Sequence, residues 1–78
     1  MKYLFPERFQ ELLDSSDLTY EEIIQKLDIK SRGTISKYAS GAIKNVSITT
    51  ICKIADVFNV SPVWLVGWTN DKHFKIED

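Results

Sequence analysis

Arg32, Gly33, Ser36 and Lys37 stand close together in a stretch whose apolar positions, Ile35, Tyr38 and Ala39, recur at helical spacing. With those three turned inward, the 3.6-residue period leaves Arg32, Gly33, Ser36 and Lys37 outward and Thr34 at the margin. An arginine fork donates two hydrogen bonds to guanine O6 and N7, worth about 1–3 kcal/mol of discrimination. Glycine lets a backbone approach closely, and the Thr34 methyl or hydroxyl and the Ser36 hydroxyl suit a neighbouring thymine or adenine. Lys37 reaches either a base or a phosphate. The chemistry of this set is that of reading base edges in the major groove of duplex DNA.

Phosphate contacts would fix the register of such a reading surface. Thr19, Ser31 and Ser47 are good caps, and each helix start exposes backbone N–H groups at a positive dipole end. Tyr20 beside the first of these, Lys30 beside the second, and Lys44 and Asn45 before the third complete the expected sugar-phosphate contacts.

The charge distribution agrees, although the whole chain is nearly neutral, with a net charge of −1. Residues 1–29 carry three cations and seven acids, whereas residues 30–53 carry five cations (Lys30, Arg32, Lys37, Lys44, Lys53) and no acid. The last 25 residues are again acidic, with two cations and four acids. Acids in residues 7–28 would repel DNA, so the first helix and the outer face of the second are expected to turn away from it.

The elements that must position these residues are short helices. The predicted fold is all-α with five of them. The first runs from about Pro6 to Ser15, with Phe5, Phe9, Leu12 and Leu13 on one face. Thr19 with Glu22 makes a capping box for the second, which ends near Asp28, and Leu18 pairs with Ile23 as a hydrophobic staple. Ser31 is the expected side-chain cap of the third, and Gly41 its left-handed end. Ser47 opens the fourth, where Ile48, Ile51, Cys52, Ala55 and Phe58 are expected to face the core, so that Cys52 is read as a small core hydrophobe. Ser61 and Pro62 open the fifth, which stops at Gly67. The domain is read as residues 1–68, with 69–78 a tail or the start of a linker.

Composition narrows the alternatives. Seventy-eight residues allow one small core, and nine aromatic residues argue against disorder. One cysteine and one histidine, Cys52 and His73, supply neither a disulfide nor a four-ligand zinc site, so no metal and no cofactor is expected. No nucleophile, base and orienting acid share a motif, and no enzyme is expected. With no signal-peptide run or membrane-length apolar stretch, the expected location is the cytoplasm.

The run from Leu18 to Gly67, with Arg8 to Leu13 before it, resembles the lambda-repressor-like, Cro/C1-type helix-turn-helix domains over about three quarters of the chain. The pieces that carry the resemblance are Leu18-Thr19-Tyr20-Glu21-Glu22-Ile23, Thr34-Ile35-Ser36-Lys37-Tyr38 with Ser40-Gly41, Ile54 to Val60, and Ser61 to Gly67. It departs from the family pattern at Asp28, where glycine is usual, at Ile24, usually small, and at Ala39 and Val46, usually an acid and a proline. The resemblance implies a five-helix fold, dimeric binding to an operator and transcriptional repression, commonly in phages, prophages and bacteria. It places Arg32, Gly33 and Lys37 at base-facing positions and Tyr20 at a backbone-contact position.

A short terminal helix cannot bury Val63, Val66 and Trp68 together with Trp64 and Leu65, so Val63, Val66 and Trp68 are expected at a homodimer contact. A two-fold dimer implies a near-palindromic operator with half-sites roughly 34 Å apart. The alternative reading is a protein-interaction module on the same fold, taking an antitoxin or anti-repressor partner.

Overall fold

The computed structural model describes residues 3–44 and 46–74, and it contains five helices and no strand among them. These are α1 (Phe5–Ser15), α2 (Tyr20–Leu27), α3 (Arg32–Ser40), α4 (Ile48–Phe58) and α5 (Pro62–Val66). Asn45 and residues 75–78 of the expected tail lie outside the described residues.

The core grows from the apolar stripe of α1. Phe5 and Phe9 are fully buried and stack with ring centroids 5.6 Å apart, and Tyr38 of α3 meets both rings edge-on at 6.0 and 6.1 Å. Ile23 from α2, Ile35 from α3, Ile54 from α4 and Leu65 from α5 complete the fully buried set. Helix α1 therefore packs on α3 and α5, α2 on α3 and α4, and α4 on α5.

Four of the five helices end in one way. After α2, α3, α4 and α5 a left-handed residue (Asp28, Gly41, Asn59, Gly67) is followed by an N–H bonded back five residues. These bonds run from Ile29 to the Ile24 carbonyl, from Ala42 to Lys37, from Val60 to Ala55 and from Trp68 to Val63, at 2.9–3.2 Å. Gly41 has φ +80°, and a Cβ there would meet Pro6 Cγ at 3.4 Å, so the end of α3 sits directly against the start of α1.

Two expectations about caps and faces need correction. Ser31 precedes α3 but its hydroxyl caps nothing. Its backbone is fully extended (φ −162°), unlike Thr19, Ser47 and Ser61 (φ −77° to −66°), and its carbonyl takes the Thr34 N–H at 3.2 Å. On α4 the buried residues are Ile51, Ile54 and Ala55, whereas Cys52 is exposed and Ile48 is 78% exposed. Ile48 and Cys52 are one turn apart on the flank of the helix, rotated out of the core and towards α5.

The segment after Gly67 runs back over α1 and α5. Arg8 of α1 donates to the carbonyl oxygens of Trp64 and Thr69 and to Asn70 Oδ1, and the Ser61 N–H donates to the Lys72 carbonyl at 2.8 Å. Trp64 is buried with two cations over its ring, Arg8 4.7 Å and Lys72 5.2 Å from the centroid, and Lys72 also pairs with Glu11 at 3.5 Å.

Asp28 is the left-handed residue with the most to gain from replacement. It holds φ 55° at the C-terminal end of α2, where both its Cβ and its negative charge are unfavourable. Asp28→Gly is expected to raise stability by about 1 kcal/mol. Urea denaturation reads this directly, and an unchanged or lowered midpoint would contradict it.

Candidate nucleic-acid interface

Helices α2 and α3 are joined by the four residues Asp28 to Ser31. The left-handed Asp28 reverses the chain at once, so that the N-terminal turns of the two helices come side by side. In α3 only Ile35 is fully buried, and Tyr38 and Ala39 pack partly against the core. The rest of the helix is left to solvent. Arg32, Gly33, Ser36 and Lys37 are exposed and Thr34 is half-buried, as the helical period predicts.

The candidate phosphate-contacting residues lie at helix starts and in the connecting turns, and those described are exposed. Thr19 and Tyr20 are exposed at the start of α2, Lys30 and Ser31 in the turn, and Lys44 and Ser47 before α4. Ser47 Oγ accepts the Thr50 N–H at 3.2 Å, which fixes the α4 start, and Lys44 and Ser47 share a shallow open depression with Tyr3 and Val46. Asn45 falls outside the described residues. Val63 and Val66 are half-buried and Trp68 is 65% exposed. With Tyr3, Ile48 and Cys52 they line an apolar groove of about 510 Å³ between α4 and α5.

Gly33 is informative for what surrounds it. A Cβ there would meet nothing nearer than Ser31 Oγ, at 3.6 Å, so neither packing nor backbone conformation requires glycine in this helix. Glycine inside a helix costs about 1 kcal/mol relative to alanine. The cost is unexplained by the fold and is consistent with a surface that must be approached closely.

Arg32 is not free in solution. Its Nη2 donates to Glu21 Oε1 at 2.8 Å, and its guanidinium carbon lies 5.4 Å from the Tyr20 ring centroid. An acid of α2 thus reaches the cationic helix, a contact that no sequence spacing indicates. The cause is the tight turn, which stacks the first turn of α2 beside the first turn of α3. Both side chains of the pair are 65% exposed, so it contributes only about 0–1 kcal/mol to stability. Its effect is on where Arg32 points.

Among the described residues no cluster of His, Cys, Asp and Glu could hold a metal ion, and no helix is long and apolar enough to cross a membrane.

A helix-turn-helix family model of the Cro/C1 type matches residues 9–65, from α1 through α5. The chain belongs to the Cro/C1-type helix-turn-helix family. No curated protein and no solved structure matches it. This family consists of DNA-binding transcription regulators, and the domain is a DNA-binding one of that kind.

The start of α2 carries a measurable acid sensitivity. Thr19 N–H donates to Glu22 Oε1 at 3.0 Å and Glu22 N–H to Thr19 Oγ1 at 3.2 Å, closing the capping box. The Thr19 backbone bond, then the Thr19 hydroxyl and the Lys26 charge, hold the Glu22 carboxyl below its ordinary range. A folded-state pKa below the unfolded one adds stability above the unfolded value, and that stability is lost as pH falls through the folded one. The stability advantage of the native chain over Glu22→Gln is therefore expected to shrink as pH drops below about 4.3. Thermal unfolding of both proteins from pH 6 to pH 3 checks it, and a difference that stays constant would contradict it.

Proposed function

We propose that the chain is a transcriptional repressor that occupies an operator, with α3 entering the major groove and Arg32, Gly33, Thr34, Ser36 and Lys37 against the base edges. The observation that carries this reading is that α3 is held by one fully buried residue, Ile35, while Arg32, Gly33, Ser36 and Lys37 are exposed, Arg32 meeting only exposed side chains of α2. Arg32 pairs with guanine, Gly33 admits a close groove wall, and the hydroxyls of Thr34 and Ser36 meet adjacent bases. Thr19, Tyr20, Lys30, Ser31, Lys44 and Ser47 contact sugar and phosphate and set the register. A domain seated there excludes other proteins from the same stretch of duplex.

The test starts from a duplex selected out of a random library by the native chain, with a shuffled duplex for comparison. In fluorescence anisotropy titrations Arg32→Ala is expected to cost about 1–3 kcal/mol on the selected duplex and to relax preference at one position. Lys44→Ala is expected to weaken both duplexes alike and to lower the salt slope by about one. Gly33→Ala is expected to stabilise the free protein by up to about 1 kcal/mol while weakening the selected complex. Equal losses on both duplexes for Arg32→Ala would remove it from base reading.

The operator complex is proposed to be a homodimer joined through Val63, Val66 and Trp68. The apolar groove between α4 and α5 and the exposed Trp68 ring support this, because surface of that kind is costly to leave in water. Two-fold symmetry then gives a near-palindromic operator with half-sites about 34 Å apart. Sedimentation equilibrium is expected to show Val63→Glu shifted towards monomer, with weaker operator binding. A native chain that stays monomeric at concentrations that saturate the duplex would exclude the dimer.

A further inference from the structure

The contact between Arg32 and Glu21 joins the cation best suited to read guanine to an acid that would repel DNA. The distance is 2.8 Å, and the Tyr20 ring supports the guanidinium from the same helix turn. Glu21 has no part in closing the capping box, which is the work of Glu22. Among the described residues Arg32 is the only contact of Glu21 that involves charge. In the first turn of α2 it suits the helix dipole and, at the same time, meets Arg32.

We propose that Glu21 is a positioning residue that sets sequence discrimination, by holding Arg32 on Tyr20 and penalising any anionic group that would take its place. This rests on the reading of Arg32 as a base-contacting residue. The physical basis is the difference in charge between the two partners Arg32 can find on a duplex. A phosphate is an anion. To take the guanidinium it must either displace the Glu21 carboxylate or settle beside it, and both arrangements bring like charges together. The O6 and N7 edge of guanine is neutral and accepts from two N–H groups of a guanidinium that has five. Guanine is therefore met with the carboxylate still paired, and the penalty is heavier for a phosphate that takes the guanidinium directly.

Tyr20 makes this geometry specific. A guanidinium held over a ring face and bonded to a carboxylate loses less freedom on binding than a free arginine side chain. The carboxylate and the ring together fix the direction of the fork. Since the pair is exposed, the effect is of the size of a surface ion pair and is screened by salt.

Glu21→Gln tests this, because glutamine keeps an oxygen that accepts from Arg32 and removes only the charge. Glu7→Gln on α1 serves as a control for net charge. On a shuffled duplex at low salt, Glu21→Gln is expected to bind about three- to fivefold more tightly than the native chain. On the selected duplex it is expected to change by less than about twofold, so that the ratio of the two affinities falls. In an Arg32→Ala background the same substitution is expected to leave that ratio unchanged. Nitrogen NMR of the Arg32 side chain in the free protein, expected to shift with Glu21→Gln and not with Glu7→Gln, reads the contact without DNA. Equal tightening on both duplexes, or the same ratio for Glu21→Gln and Glu7→Gln, would overturn the role of Glu21 while leaving base reading by Arg32 intact. If instead Arg32→Ala lost equally on both duplexes, base reading itself would fail and the role of Glu21 with it.

Discussion

The burial of Ile35 is the constraint on which the rest depends. A nine-residue helix does not hold its shape alone in water. Helix α3 is kept helical by one fully enclosed side chain and by Tyr38, whose ring meets Phe5 and Phe9 edge-on. Enclosing an isoleucine contributes about 1.5–3 kcal/mol, and the aromatic contacts add to that. Because so narrow a stripe suffices, most of the helix surface is released from structural duty. Wider burial on α3 would stabilise the domain more and leave less of it to meet a partner.

What was legible in the sequence was local, and what was missed depends on packing at a distance. Thr19, Glu22, Ser47, Ser61, Pro62, Gly41 and Gly67 act within one helical turn of themselves, and each marks a boundary where its type predicts one. Ser31 looks like the same signal, but its backbone is extended and its hydroxyl makes no cap bond. Ile48 and Cys52 belong to an apolar pattern wider than the core that receives it. Periodicity finds the stripe of α4 but cannot say which edge of it a short α5 will cover. The outward set on α3 was legible because its inward residues are few and unambiguous. Its link to Glu21 was not, since eleven residues and a left-handed turn separate the pair and no spacing rule connects them.

Arg8 shows the same limit in another part of the fold. On α1 it is one charged residue among several, and nothing in its neighbourhood marks it. In the folded chain it gathers the carbonyls at the end of α5 and of the segment that follows, and covers one face of Trp64. Lys72 covers Trp64 as well, held by Glu11. A small core cannot enclose a tryptophan with apolar side chains alone. Two cations complete its shell, with the Arg8 guanidinium and the Lys72 ammonium over the ring.

The near-neutral charge of the chain is best understood alongside this economy. A strongly basic domain binds any duplex, since phosphate is the same everywhere and each added cation strengthens all sites equally. Confining five cations to residues 30–53 and surrounding them with acids keeps the attraction local. Helix α2 brings that balance to the level of single side chains, because its first turn carries Tyr20 and Glu21 next to the arginine that opens α3. Little stability is at stake in so exposed a pair. The tight turn after Asp28 nevertheless places an acid where it can weigh on each encounter between Arg32 and an anion, and that placement follows from backbone geometry rather than from the strength of the bond.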